Sequence, residues 1–223
     1  AQEHFIEMLN ILRLEFLLIL RSGSHVVLAL SFFLFFMLLF ALSSFGDNIV
    51  LSGIGLTAVW LSLLMAILLT LNKVIHEDFE SGVLDYLLIA DVPIEITLFC
   101  KTVVHWFSVV VPLLIITPIV LITFQISSDD IRRIALMLLL GSPSLSFLGT
   151  MISCLTLSNR SSFLLTTITI PFYFPTLLLG VFCCGSATTN LFAFEYLLLY
   201  ANTLFTVVLS PYISAYAIKL NYS

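Results

Sequence analysis

Residues 72–96 read NKVIHEDFESGVLDYLLIADVPIEI and hold Glu77, Asp78, Glu80, Asp85, Asp91 and Glu95, six of the chain's thirteen acidic residues, with Lys73 the one Lys or Arg among them. Carboxylates do chemistry when they are paired in a site or set beside a nucleophile and a base. The flanking apolar stretches offer no Ser/His/Asp set, no H-E-x-x-H and no paired carboxylates, so no catalytic residue is expected. Nor is there a G-x-x-x-x-G-K-[ST] loop to cradle the phosphates of ATP. On a wheel of about 100° per residue, Ile75, Phe79, Val83, Tyr86 and Leu87 share one face and Glu77, Asp78 and Asp85 lie largely across from it. Residues 73–92 are therefore expected to form an amphipathic helix parallel to the bilayer, with Gly82 as a break and Pro93 as its end. Helices that bind lipid head groups carry Lys and Arg, because the inner leaflet is negative. An acidic helix suits a basic groove on a partner protein instead; a solvated charged loop is the alternative.

Hydrocarbon must position this segment. The 223-residue chain is 61% hydrophobic and 9% charged, with twenty Phe and a mean hydropathy of +1.18, whereas a soluble domain is about a quarter charged. A helix needs about 20 apolar residues to cross a bilayer with every backbone amide satisfied. Six stretches qualify, approximately 26–45, 49–71, 98–124, 134–157, 163–183 and 196–218. The alternating segments of a barrel are absent. The expected fold is an all-α polytopic membrane protein: one domain with six transmembrane helices, preceded by an interfacial helix over residues 4–22 and carrying a cytoplasmic coupling helix between spans 2 and 3. The first span reads as uncleaved, since Glu3 and Glu7 precede it and no small-residue cleavage site follows. The sequence opens at Ala1 rather than Met, which leaves room for a few residues ahead of it.

Basic flanks are retained on the cytoplasmic side. An inside N-terminus puts Arg13, Arg21, Lys73, Lys101, Arg160 and Lys219 inside, against Arg132 and Arg133 outside. The acidic segment is then cytoplasmic, or on the matrix side in an organelle. Ser127, Ser128, Asp129 and Asp130 form a capping start for the fourth span. The interior of the spans is expected to hold no Asp, Glu, Lys or Arg, which argues against an ion-coupled transporter. Energy, if used, then comes from a partner, and the acidic helix is what an ABC-type permease would need to receive force from a separate ATPase.

Four stretches carry a family likeness: ESGVLDYLLIADVPI (80–94), KTVVHW (101–106), LLLGSPSLSFLGTMISCLT (138–156) and IPFYFPTLLLG (170–180). In these the chain resembles the CcmB, or heme exporter protein B, family, over most of residues 77–211. The family's first stretch runs Gly-[small]-Leu-Glu-x-Leu; here Asp85 stands for the usual Glu and Val83 for Thr. The resemblance implies an ABC-2-like permease that performs no chemistry itself. Its implied partners are a cytoplasmic ABC ATPase, heme-handling membrane subunits, a membrane-anchored heme chaperone and membrane lipid, with a second copy of the permease as a further candidate and no nucleic acid. ATP would sit in the partner and heme would be cargo of the complex, exported or released with the loaded chaperone, with no cofactor or metal assigned to this chain. The implied location is the bacterial inner membrane, or the mitochondrial inner membrane if organellar. A permease for another cargo (lipid, drug or polysaccharide) and an assembly scaffold are the rival readings.

Glu77, Asp78, Glu80, Gly82, Leu84, Asp85, Leu87 and Leu88 are the candidate ATPase-coupling residues. Pro112, Gly141, Pro143, Ser144, Ser146, Gly149, Pro171, Tyr173 and Pro175 are candidate hinge or inter-helix packing positions. Small residues let helices approach, and a proline removes one helical hydrogen bond and obstructs another. Tyr173 should find a partner for its hydroxyl, or contact an apolar ligand. His105 beside Trp106 suits an interfacial pair better than heme ligation. Cys100, Cys154, Cys183 and Cys184 are expected to be buried small hydrophobes, with a vicinal disulfide at Cys183 and Cys184 the alternative.

Overall fold

The computed structural model describes residues 23–89, 92–157, 162–185 and 194–221, and every regular element among them is helical. The interfacial helix expected over residues 4–22 lies outside them, as do Asp91 and the side chains of Lys73, Tyr86 and Cys184. The helices are α1 (Ser24–Ser43), α2 (Asn48–Glu80), α3 (Val83–Ile89), α4 (Ile94–His105), α5 (Val111–Thr123), α6 (Ser128–Leu155), α7 (Ser162–Gly185) and α8 (Phe194–Asn221). A π-helical turn, Trp106–Val110, joins α4 to α5 without a break in the rod. Five runs are long and apolar enough to cross a membrane: Ser24–Ser43, Asn48–Glu80, Ile94–Thr123, Ser128–Leu155 and Phe194–Leu220. In α7 the described apolar stretch, Pro171–Cys183, is shorter than a span.

The helix starts follow from local chemistry. Asp47 caps α2 by accepting from Ile49 N at 2.8 Å and Val50 N at 3.3 Å. Ser127 caps α6, accepting from Asp130 N at 3.3 Å, as the Ser-Ser-Asp-Asp run predicts. Pro112 explains the π turn: it has no N–H to donate to the Ser108 carbonyl and its ring obstructs that carbonyl, so the ladder re-registers through Trp106–Val110.

Helix α6 is the hub. Every residue from Gly141 to Cys154 except Pro143 is buried. Side chains from three neighbouring rods bond to it. Thr102 pairs with Thr150 at 2.8 Å, and Trp106 Nε1 donates to Ser142 Oγ at 2.9 Å. Tyr173 donates its phenol to the Leu145 carbonyl at 3.0 Å, so its hydroxyl is engaged within the bundle. From α8, Thr203 donates to the Leu140 carbonyl at 3.1 Å and Ser210 to that of Phe147. Leu140 lies beside the carbonyl that Pro143 leaves without its helical donor, which is that of Leu139. Ser144 turns back onto its own helix, donating to the Gly141 carbonyl at 2.6 Å.

Close approach is set by glycine. Trp60 on α2 is fully buried. A Cβ on Gly180 of α7 would stand 2.5, 2.6 and 2.7 Å from three of its ring carbons, and one on Gly141 of α6 would stand 2.6 Å from Cη2. Gly149 is as tight, 2.8 Å from both Leu71 Cδ1 and the Tyr173 hydroxyl. The small positions of α6 thus serve inter-helix packing. Pro171 and Pro175 are exposed and flank the buried Tyr173, while Cys183 is a free thiol that donates to the Glu195 carbonyl at 3.1 Å.

A rigid indole cannot retreat from an added methyl, so Gly180→Ala should destabilise the fold by about 1–3 kcal/mol. Thermal unfolding in detergent should show a lowered Tm. Adding Trp60→Phe, which removes ring carbons from the clash, should recover part of the loss; an unchanged Tm for Gly180→Ala would refute the clamp.

Candidate functional site

At 33 residues, α2 is about 50 Å long at 1.5 Å per residue, well beyond the roughly 30 Å of a hydrocarbon core. Its surplus lies at the acidic end. Glu77, Asp78 and Glu80 therefore stand on the last turns of a spanning helix, which corrects the expectation of one separate helix over residues 73–92. The helix stops at Gly82, whose φ of 75° lies in the left-handed region that favours glycine. Helix α3 then begins in a new phase. A wheel drawn through that break misassigns faces: Phe79 and Val83 are 36% and 40% exposed, while Ile75 and Leu84 are fully buried.

The coupling candidates divide into three groups. Leu84, with Leu87 and Leu88 half-buried beside it, packs into a cluster at this end formed with Ile75, Ile94, Leu98 and Ile218. These leucines anchor α3 and do not face outward. Glu80 and Asp85 are exposed, and Glu77 is about half exposed, with its Oε2 3.6 Å from Nε2 of the buried His25. Asp78 turns inward. Its Oδ2 lies 2.5 Å from Lys101 Nζ, and the two side chains are only 18% and 4% exposed. The expectation that Asp78 faces a partner alongside Glu77 and Asp85 is corrected accordingly.

Lys101, expected at the inner end of the third span, sits within Ile94–Thr123 and is the only buried Lys, Arg, Asp or Glu among the described residues. One turn on, His105 is fully buried and its Nε2 lies 2.9 Å from Thr70 Oγ1. Trp106 is half-buried and bonded to α6, so both members of the pair pack against neighbouring helices. A second ion pair, Lys219 to Glu95 at 2.9 Å, ties the end of α8 to the start of α4 at the surface. It borders a cavity of about 280 Å³ lined by Leu87, Leu88, Pro93 and Ile94. The sequence carried a signal for Lys101: a cation in apolar IEITLFCKTVVHW needs an anion, and Asp78 is the acid within reach.

This end of the bundle offers an exposed carboxylate rim, a short anchored helix, and one acid directed into the interior. Such an arrangement can receive a basic partner and pass a displacement inward. Truncating the anchor tests the geometry. Leu84→Ala should cost about 2–5 kcal/mol locally, so limited proteolysis should cut residues 80–91 faster while the spanning helices stay resistant.

Comparison with known proteins places this architecture. The family model described as CcmB protein matches residues 6–221. Heme exporter protein B of Rhodobacter capsulatus is 33% identical over 206 residues, covering 92% of this chain and 94% of the relative. The proteins of that name in Paracoccus denitrificans and Escherichia coli are 31% and 30% identical over 203 and 214 residues, covering 90% and 95% of this chain and 93% and 97% of theirs. A match over nearly the whole chain, through every described helix, establishes that the chain belongs to the CcmB protein family.

Proposed function

We propose that this chain is the membrane permease subunit of an ATP-driven complex that serves heme export in cytochrome c maturation. The observation that carries the reading is the family match over residues 6–221, together with relatives named heme exporter protein B. The chain crosses the bacterial inner membrane six times, α7 supplying the fifth span, in an ABC-2-like arrangement with the N-terminus and the acidic end cytoplasmic. Six of eight Lys and Arg on that side support the orientation.

The partner that hydrolyses ATP is a separate cytoplasmic subunit. It engages the rim of Glu77, Glu80 and Asp85 with basic side chains, and the short α3 gives it a firm element to push. Heme is cargo of the complex and is held by companion subunits, including a membrane-anchored chaperone. Two observations support that division: His105, the histidine within the third spanning rod, is fully buried, and its Nε2 is occupied by Thr70.

Charge pairs at such contacts are worth about 1 to a few kcal/mol, so Glu80→Lys/Asp85→Lys should weaken co-purification of the ATPase in mild detergent by about tenfold or more. Acidic substitutions in the partner's groove should restore it. Unchanged co-purification and ATP hydrolysis would refute the docking rim. For the orientation, a cysteine placed at Ser81 should label from the cytoplasmic side and one at Asp47 from the opposite side; the reverse pattern would overturn both the topology and the coupling role.

A further inference from the structure

We infer that the buried Asp78–Lys101 ion pair carries movement of the acidic rim into the bundle, with Lys101 a positioning residue of the transport cycle. The inference rests on the permease reading above and specifies how that permease would be driven.

Three observations point to it. The first is energetic. Taking two charges out of water costs several kcal/mol per ion, and well-packed apolar residues of similar size stabilise a fold as well or better. A buried pair is therefore poorly explained as a stabiliser and better explained as a device that specifies one arrangement over another. An ionisable group inside a spanning segment is a functional candidate for the same reason.

The second is placement. Asp78 lies on the turn of α2 that also carries the exposed Glu77 and Glu80, four residues before Gly82, so a partner that pulls on the rim pulls on it. Its counterion is on α4, a 12-residue rod bounded by Pro93 at one end and by the π turn at the other. π turns and prolines are where helices bend. Helix α4 can therefore tilt as a lever without bending along its length.

The third is what lies at the far end of that lever. Trp106, the first residue of the π turn, donates its indole N–H to Ser142, the residue before Pro143 on the hub helix. The contacts run from the rim through Asp78 and Lys101, along α4, and through Trp106 to the proline of α6. His105 bonded to Thr70 holds α4 against α2 and Thr102 bonded to Thr150 holds it against α6, so a pull on the end of α2 reaches α6 through α4.

A purely structural pair and a transmitting pair respond differently to replacement by apolar residues. In the assembled complex, Asp78→Leu/Lys101→Met should keep the ATPase bound and hydrolysing ATP within about twofold of the unmodified complex, while the yield of finished cytochrome c in cells falls about tenfold. The exchanged pair, Asp78→Lys/Lys101→Asp, should recover assembly and more cytochrome c than Lys101→Met alone, which leaves the Asp78 charge without its partner. Full cytochrome c yield from the apolar pair would overturn the inference, because ionic linkage would then be dispensable. So would an exchanged pair no better than Lys101→Met, whether or not the apolar pair assembles. Failure of the permease reading is separate: it would appear as the absence of any ATPase bound to the unmodified chain.

Discussion

The indole of Trp60, held between Gly141 and Gly180, sets the spacing of three helices at once. Inside a bilayer the hydrophobic effect does not drive helices together, because lipid tails are as apolar as leucine. Association depends on close surface matching and on hydrogen bonds between helices. A flat ring that meets glycine on two neighbours brings α2, α6 and α7 to distances at which the remaining contacts can form. Tyr173 reaches the Leu145 carbonyl, and Gly149 accepts Leu71 and the same phenol, only because those backbones are already near.

That closeness in turn makes the irregular backbone affordable. Pro112 and Pro143 each remove a donor from a spanning rod, and Pro118 and Pro211 lie inside helices too. A freed carbonyl in hydrocarbon is costly unless a neighbouring helix serves it. At Pro112 the bundle answers with a π turn. The π turn lies where Trp106 bonds to α6, so irregular backbone and packing occupy the same layer of the fold.

Charge is distributed by the same logic. Four of the carboxylates at the acidic end fall into three settings: Glu80 and Asp85 in the open, Glu77 beside His25, and Asp78 against Lys101. The surplus length of α2 lets a single helix carry both an outward acid and an inward one. The break at Gly82 then sets α3 at an angle at which its leucines, and not its acid, meet the core.

Much of this was legible from composition and pattern. Hydropathy over windows of about 20 residues depends only on local sequence, so the multi-pass helical class, the capped start at Ser127 and the crowding of acids before Pro93 could be read directly. Family membership, too, followed from short stretches. What the sequence could not decide was where each helix ends and which way its side chains turn. Helix α2 outruns its hydrocarbon, and nothing local distinguishes Leu71 as an end from Glu80. The orientation of Asp78 depends on Lys101, 23 positions away, and the need for glycine at position 180 depends on a tryptophan 120 residues earlier. Those outcomes are pairings between helices. Their energies arise from distances that no single segment contains, so they became definite only when the bundle closed.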